Sequence, residues 1–354
     1  RSPPSSPTSS PWPCGASDAG RGVKAPAFWS DPDAFAGRLL APLGALVGAV
    51  TLARMRGEGA RASVPVVCVG NPTVGGSGKT PAVQWLAGLL AGEGHCPAIL
   101  SRGYGGRLAG PVVVVPGRHG PADVGDEPLL HAAHWPTVVS RDRPAGAALA
   151  VSGGASVIVM DDGFQNASLA KDLSILVVDA AAGLGNGRVL PAGPLRAAFV
   201  PQLAMADALL LVGEGAAGNA LAEAAHRAGR PVIRARLAVP DAVRDAIAGR
   251  DLLAFCGIGR PEKFVETLGA AGARNALLRP FPDHHVYGDA DAERLLTEAQ
   301  RTGLPLVTTE KDAVKLKGTE ALDRLAAATM VIPARLVVDD AAALAPLADR
   351  LRRP

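Results

Sequence analysis

Residues 73–80 read Thr73-Val74-Gly75-Gly76-Ser77-Gly78-Lys79-Thr80. The closing Gly-Lys-Thr is the ending of a phosphate-binding loop, and the chemistry on offer is the grip of a nucleoside triphosphate. Backbone N–H groups of Gly75, Gly76, Ser77 and Gly78 can turn inward onto phosphate oxygens at the start of a helix. Glycines matter because side chains would block the close approach of the backbone. Lys79 adds a point charge toward the β- and γ-phosphates, and the Thr80 hydroxyl can hold Mg²⁺. The usual pattern opens on a glycine, and this chain has Thr73 there. A second pair of groups suits the same task. Asp161 and Asp162 close the apolar run 157–160. A carboxylate at the end of a strand beside the loop is what Mg²⁺ on a nucleotide needs. Alone, such a pair is as readily a turn or a helix cap; next to the loop, the metal reading is preferred.

These groups need a strand before the loop and a helix after it. "VPVVCVGN" and "TPAVQWLAGLL" supply both, with Pro81 placed where a first helical turn tolerates it. Apolar, β-branched runs recur at 64–69, 112–115, 137–140, 157–160, 173–178 and 208–212, mostly separated by Ala/Leu-rich stretches. Strands apolar throughout, alternating with helices, predict an α/β fold of the P-loop NTPase type. Its sheet is mostly parallel and carries helices on both faces. Runs at 252–258, 305–309 and 330–338 predict a second, smaller α/β domain. The division expected is a P-loop domain over 61–245 and a C-terminal domain over 246–354.

Residues 1–22 are rich in Ser, Pro and Gly and predict a disordered tail without the apolar core of a signal peptide. The chain does not begin with Met, and its natural start is expected near Val23. Residues 23–60 form an N-terminal segment around the uncharged run 39–53, which lies between Arg38 and the pair Arg54 and Arg56. That run is shorter than the roughly 20 residues that span a bilayer, and Pro42, Gly44 and Gly48 weaken it as a helix. Two readings stand: a core helix packed on the main domain, or an interfacial helix with its apolar side in acyl chains.

Composition narrows the partners. The net charge of +3 on 354 residues is too small for a nucleic-acid footprint, so no nucleic acid is expected. Cys14, Cys68, Cys96 and Cys256 form no CxxC pair, so neither zinc nor a disulfide framework is expected. Cys68 and Cys256 lie in apolar runs and are expected to be buried. A GTPase would carry Asn/Thr-Lys-x-Asp; "TTEKDAVKL" (308–316) misses it, because Lys311 and Asp312 are adjacent.

Nine stretches taken together resemble the tetraacyldisaccharide 4′-kinase family, the lipid A kinases of Gram-negative bacteria. They are "APAFW" (25–29), "VGNPTVGGSGKTP" (69–81), "SRGYGG" (101–106), "VGDEPLL" (124–130), "DDGFQN" (161–166), "DLSILVVDA" (172–180), "LPAGPLR" (190–196), "FPDHHVY" (281–287) and "TTEKDAVKL" (308–316). That family also carries a non-glycine at the first loop position. The resemblance implies ATP and Mg²⁺ as cofactors. It implies transfer of the γ-phosphoryl group to the 4′-hydroxyl of an acylated glucosamine disaccharide 1-phosphate. It further implies a peripheral protein on the cytoplasmic face of the inner membrane, which favours the interfacial reading of 39–53. It assigns Asp126 as the base and His284 as its partner. On the residues alone, Asp126 could simply cap a helix, and His285 could be the active histidine. Arg102 and Tyr104 become candidates for the substrate head group, and Arg196 for the transferring phosphoryl group. Ala197 stands where the family usually has an acid, which leaves Asp161 and Asp162 to hold the metal without it, or a nearby acid to substitute. Two other classes stay open: a P-loop ATPase or GTPase switch that binds a partner protein, and a kinase of small cytosolic molecules.

Overall fold

The computed structural model describes residues 25–340. The tail 1–22 and the start near Val23 lie outside the described residues. The larger lobe is built on nine strands: β1 (Val66–Gly70), β2 (Pro97–Ser101), β3 (Val112–Val113), β4 (Thr137–Val139), β5 (Val157–Asp161), β6 (Leu173–Asp179), β7 (Ala208–Val212), β8 (Val232–Ala238) and a late strand, Arg335–Val338. The smaller lobe holds β9 (Asp251–Cys256), β10 (Asn275–Pro280), β11 (Leu306–Thr309) and β12 (Thr329–Ile332), and the late strand is β13. In the large sheet the order is β13-β8-β7-β6-β1-β5-β2-β4-β3. All pairings are parallel except those of the two edge strands, β3 with β4 and β13 with β8. The small sheet runs β10-β9-β11-β12 and is parallel throughout.

Strand β1 sits at the centre, paired with β5 on one side and β6 on the other. Successive side chains of a strand face opposite ways, so β1 feeds two cores. Val67 and Val69 pack with Val83, Leu86 and Leu90 of the helix Lys79–Gly92. Val66 and Cys68 pack with Leu176, Leu195 and Leu203 on the other face. Cys68 and Cys256 are both buried, and burial pushes both thiols up to about 12.

Three strands escape a search for β-branched runs. Pro97 opens β2, where a missing N–H is tolerated; β8 alternates arginines with apolar residues; β10 is a half-exposed edge. The run 330–338 is two strands rather than one: β12 closes the small sheet, and β13 crosses back to pair with β8.

The run 39–53 belongs to a longer helix, Phe35–Met55, whose 21 residues are long and apolar enough to cross a membrane by length and composition. Only 17% of its most apolar window is buried, so it is not a core helix. Gly37, Gly44 and Gly48 form its buried stripe. A Cβ at Gly44 would meet the Val189 carbonyl oxygen at 2.6 Å, so the close approach to the segment 186–192 requires glycine. Phe35, Leu39, Leu43, Leu46 and Val50, spaced four, four, three and four apart, form an exposed stripe.

Candidate active site

The phosphate loop leaves the carboxyl end of β1, the position where open parallel sheets bind ligands. Gly75 and Gly78 have φ of 105° and 85°, and the space a Cβ would fill at Gly75 and Gly76 is open. The loop is strapped from outside by residues 194–196. The Val74 N–H donates to the Pro194 carbonyl at 2.9 Å, and the Arg196 N–H donates to that of Pro72 at 2.8 Å. Thr73 forms a bridge with Leu195, a strand-like contact that needs no glycine. Lys79 Nζ donates to Asn71 Oδ1 at 3.1 Å and lies 3.9 Å from Asp162 Oδ1. Thr80 follows in the first turn of the helix Lys79–Gly92.

Asp161 ends β5 in register with Val69 of β1, so the pair Asp161-Asp162 sits beside the loop. Asp161 Oδ2 accepts from the Ser101 hydroxyl at 3.3 Å and lies 3.4 Å from Nε2 of the fully buried His131. Burial raises the Asp161 carboxyl, but His131, Lys79 and Arg143 outweigh it and hold it below its ordinary value. Asp162 Oδ2 accepts from Arg196 Nη2 at 2.9 Å. Arg196 is further held by the Gln165 side chain and the Thr73 carbonyl, both at 3.3 Å. Three buried oxygens, Ser77 Oγ, Asp161 Oδ1 and Asp162 Oδ1, have no hydrogen-bond partner in the protein. Buried polar atoms are rarely left so, and hard oxygens beside a phosphate loop suit Mg²⁺. That ion is usually held by one or two carboxylates together with phosphates and water. Among the described residues no cage of three or more His, Cys, Asp or Glu side chains is gathered. Ala197 is fully buried, and its carbonyl accepts from Gln202 Nε2 at 2.7 Å.

Asp126 is the first residue of the helix Asp126–Ala132, and its Oδ1 accepts from the Glu127 N–H at 3.2 Å. Its other oxygen does more than start a helix: it meets His284 Nδ1 of the small lobe at 3.0 Å. His285 points elsewhere, to Asp291 at 2.8 Å, and stacks on Phe281. Burial raises the Asp126 carboxyl, but the His284 hydrogen bond with Lys311 and Lys315 brings it down to about 2. The Asp126 hydrogen bond raises His284 against burial and Lys311. Glu127 lies between the two halves of the site; burial, then Asp161, pushes its carboxyl up. Tyr104 is exposed with its ring 6.2 Å from that of His284, and Arg102 is exposed nearby in the chain.

Among the described residues, the non-glycine residues with positive φ are Asp162 (51°) and His284 (58°). Such backbone costs on the order of 1 kcal/mol or more and persists where the surroundings impose it. Sequence reasoning missed His131, Glu127, Lys311, Lys315 and Asp179. Asp179 ends β6 and ties the lobes by ion pairs to Arg260 and Lys263. Each of these looks like an ordinary charge until the sheets bring it to the cleft.

An amide-lined loop at a strand–helix junction, with oxygen-rich carboxylates at the next strand end, defines a P-loop phosphotransferase. The second lobe, which brings a histidine to a carboxylate of the first, adds a two-lobed cleft. The chain belongs to the tetraacyldisaccharide-1-P 4′-kinase family, whose model matches residues 36–352. It is 53% identical over 328 residues to the tetraacyldisaccharide 4′-kinase of Bradyrhizobium sp. (strain ORS 278), covering 93% of this chain and 98% of that one. It is 58% identical over 295 residues to the enzyme of that name from Methylobacterium nodulans, covering 83% and 88%. The crystal structure of LpxK from Aquifex aeolicus in complex with ATP aligns with a TM-score of 0.69 at 28% identity, covering 90% of this chain and 99% of that one. Family membership makes the chain an enzyme and displaces the partner-binding switch.

Proposed function

We propose that this chain transfers the γ-phosphoryl group of ATP to the 4′-hydroxyl of a tetraacylated disaccharide 1-phosphate, with Asp126 accepting the alcohol proton. The meeting of Asp126 and His284 at 3.0 Å across the cleft carries this reading. Phosphoryl transfer needs charge neutralisation and in-line positioning more than covalent help from the protein. The loop amides and Lys79 hold the triphosphate. Thr80, Asp161 and Asp162 would hold Mg²⁺, which when bound neutralises charge on the β- and γ-phosphates. Arg196, pinned by Asp162 and Gln165, faces the transferring group. The alcohol oxygen bonds to the γ-phosphorus as the bridge to the β-phosphate breaks; ADP leaves and the proton passes to Asp126. Arg102 and Tyr104 at the rim receive the head group. Incubation of the chain with ATP and the acylated disaccharide, followed by mass spectrometry, tests this. One added phosphate per lipid is expected; ATP hydrolysis without phosphorylated lipid would reject it.

The exposed stripe Phe35–Val50 supports docking on a lipid surface, where Arg38, Arg54 and Arg56 would meet head groups while the glycine stripe keeps the helix on the protein. An ATP-consuming enzyme works on the cytoplasmic face. Leu39→Gln, Leu43→Gln and Leu46→Gln together are expected to cut co-sedimentation with vesicles of anionic and zwitterionic phospholipid at least about ten-fold, given about 1.5–3 kcal/mol for each fully buried leucine. Turnover on detergent-dispersed lipid should persist. Unchanged sedimentation would leave the helix without a membrane role and favour a cytosolic acceptor.

A further inference from the structure

The stretch 308–316 failed as a guanine-reading motif, and the reaction described above does not use it. Its two lysines, one helical turn apart, reach over the cleft to the base. Lys311 Nζ is 3.9 Å and Lys315 Nζ 3.7 Å from Asp126 Oδ2, the oxygen that faces His284. They are held differently. Lys315 is buried and donates to Asp312 Oδ1 at 3.0 Å. Asp312 is fully buried and accepts from the Gly257 N–H at 3.0 Å and the Thr309 hydroxyl at 2.7 Å. The Lys315 ammonium therefore stands on a fixed seat. Lys311 is more open and contacts Asp283 Oδ1 and His284 Nε2, both at 3.3 Å. An ammonium can only donate, so in the neutral imidazole Nε2 accepts and the ring proton lies on Nδ1, toward Asp126.

We propose that Lys315 is a positioning residue for Asp126: from its Asp312 seat in the small lobe it fixes the carboxylate toward the cleft, while Lys311 fixes the tautomer and orientation of His284. The base is then set only while the lobes are together. Oδ1 keeps a lone pair for the substrate hydroxyl, because among the described residues its hydrogen bond is the one from the Glu127 N–H. This inference rests on Asp126 being the proton acceptor.

Lys315 also neutralises Asp312, and a purely structural role would appear as lost stability alone. Lys315→Met leaves a buried carboxylate unpaired, so the decisive variant is Lys315→Met with Asp312→Asn, which removes both charges. With the full chain, ATP and the acylated disaccharide, this pair is expected to lower kcat about ten- to a hundred-fold, with the ATP KM within about two-fold. In an Asp126→Ala background the same pair should cost less than about two-fold more, because it acts through a group already gone. An unchanged kcat, or the full loss repeated in the Asp126→Ala background, would overturn the inference. If Asp126→Ala alone turns over normally, the assignment of the base fails and takes this inference with it. A folded Lys315→Met/Asp312→Asn protein that loses ATP binding would equally reject it.

Discussion

Lys79→Ala is expected to lower lipid phosphorylation about a thousand-fold while leaving the chain folded. Two unit charges 4 Å apart interact by about 4 kcal/mol at an effective dielectric of 20. That is about three decades of rate if the contact is made fully in the transition state. Lys79 sits where this estimate applies: its side chain is 12% exposed and its ammonium is tethered to Asn71. The structural cost is smaller. The Asn71 side chain keeps its contact with the Gly75 carbonyl at 3.4 Å, and one lost hydrogen bond costs about 1 kcal/mol. Activity should therefore vanish with little change in thermal unfolding. Measurable turnover within ten-fold of the parent would show that the triphosphate lies elsewhere.

The parts of this site differ in how far the chain discloses them. The loop is local: Gly75, Gly78 and Lys79 lie within five positions, after a buried strand and before a helix, so spacing alone exposes it. Asp161 is nearly as plain, since it closes an apolar run that must be a buried strand. Asp126 and His284 are 158 positions apart, and nothing in either neighbourhood says they meet; only resemblance paired them. Lys315 and Asp179 were invisible for a related reason. A charge next to apolar residues looks solvated until a second sheet closes over it. The helix Phe35–Met55 inverts the usual inference. Its glycines count against helix formation by propensity, yet Gly44 is what lets the helix lie against Val189. Packing outweighs propensity there, and it leaves the leucines facing outward.

Asp126→Ala separates chemistry from nucleotide binding. General base help contributes about 10²–10⁴ in rate, so kcat should fall by that much, with ATP affinity largely kept because Asp126 lies outside the phosphate loop. The same substitution leaves His284, Lys311 and Lys315 converging on a missing anion, so closure of the lobes weakens as well. The pH dependence follows from the directions of the two shifts. Asp126 is depressed to about 2 in the folded chain; its contribution is complete above the unfolded value near 3.9 and is lost as pH falls through the folded one. His284 is raised; its contribution is complete below the unfolded value near 6.5 and is lost as pH rises through the folded one. The difference in unfolding temperature between parent and Asp126→Ala should thus be largest between about pH 4 and 6.5. At higher pH it should shrink without vanishing, because Lys311, which burial lowers but Asp126 and Glu127 raise above its ordinary value, still faces the carboxylate. A difference that grows with pH above 6.5 would mean that His284 is not the cation facing Asp126, and normal turnover in Asp126→Ala would mean that the alcohol gives its proton to another group.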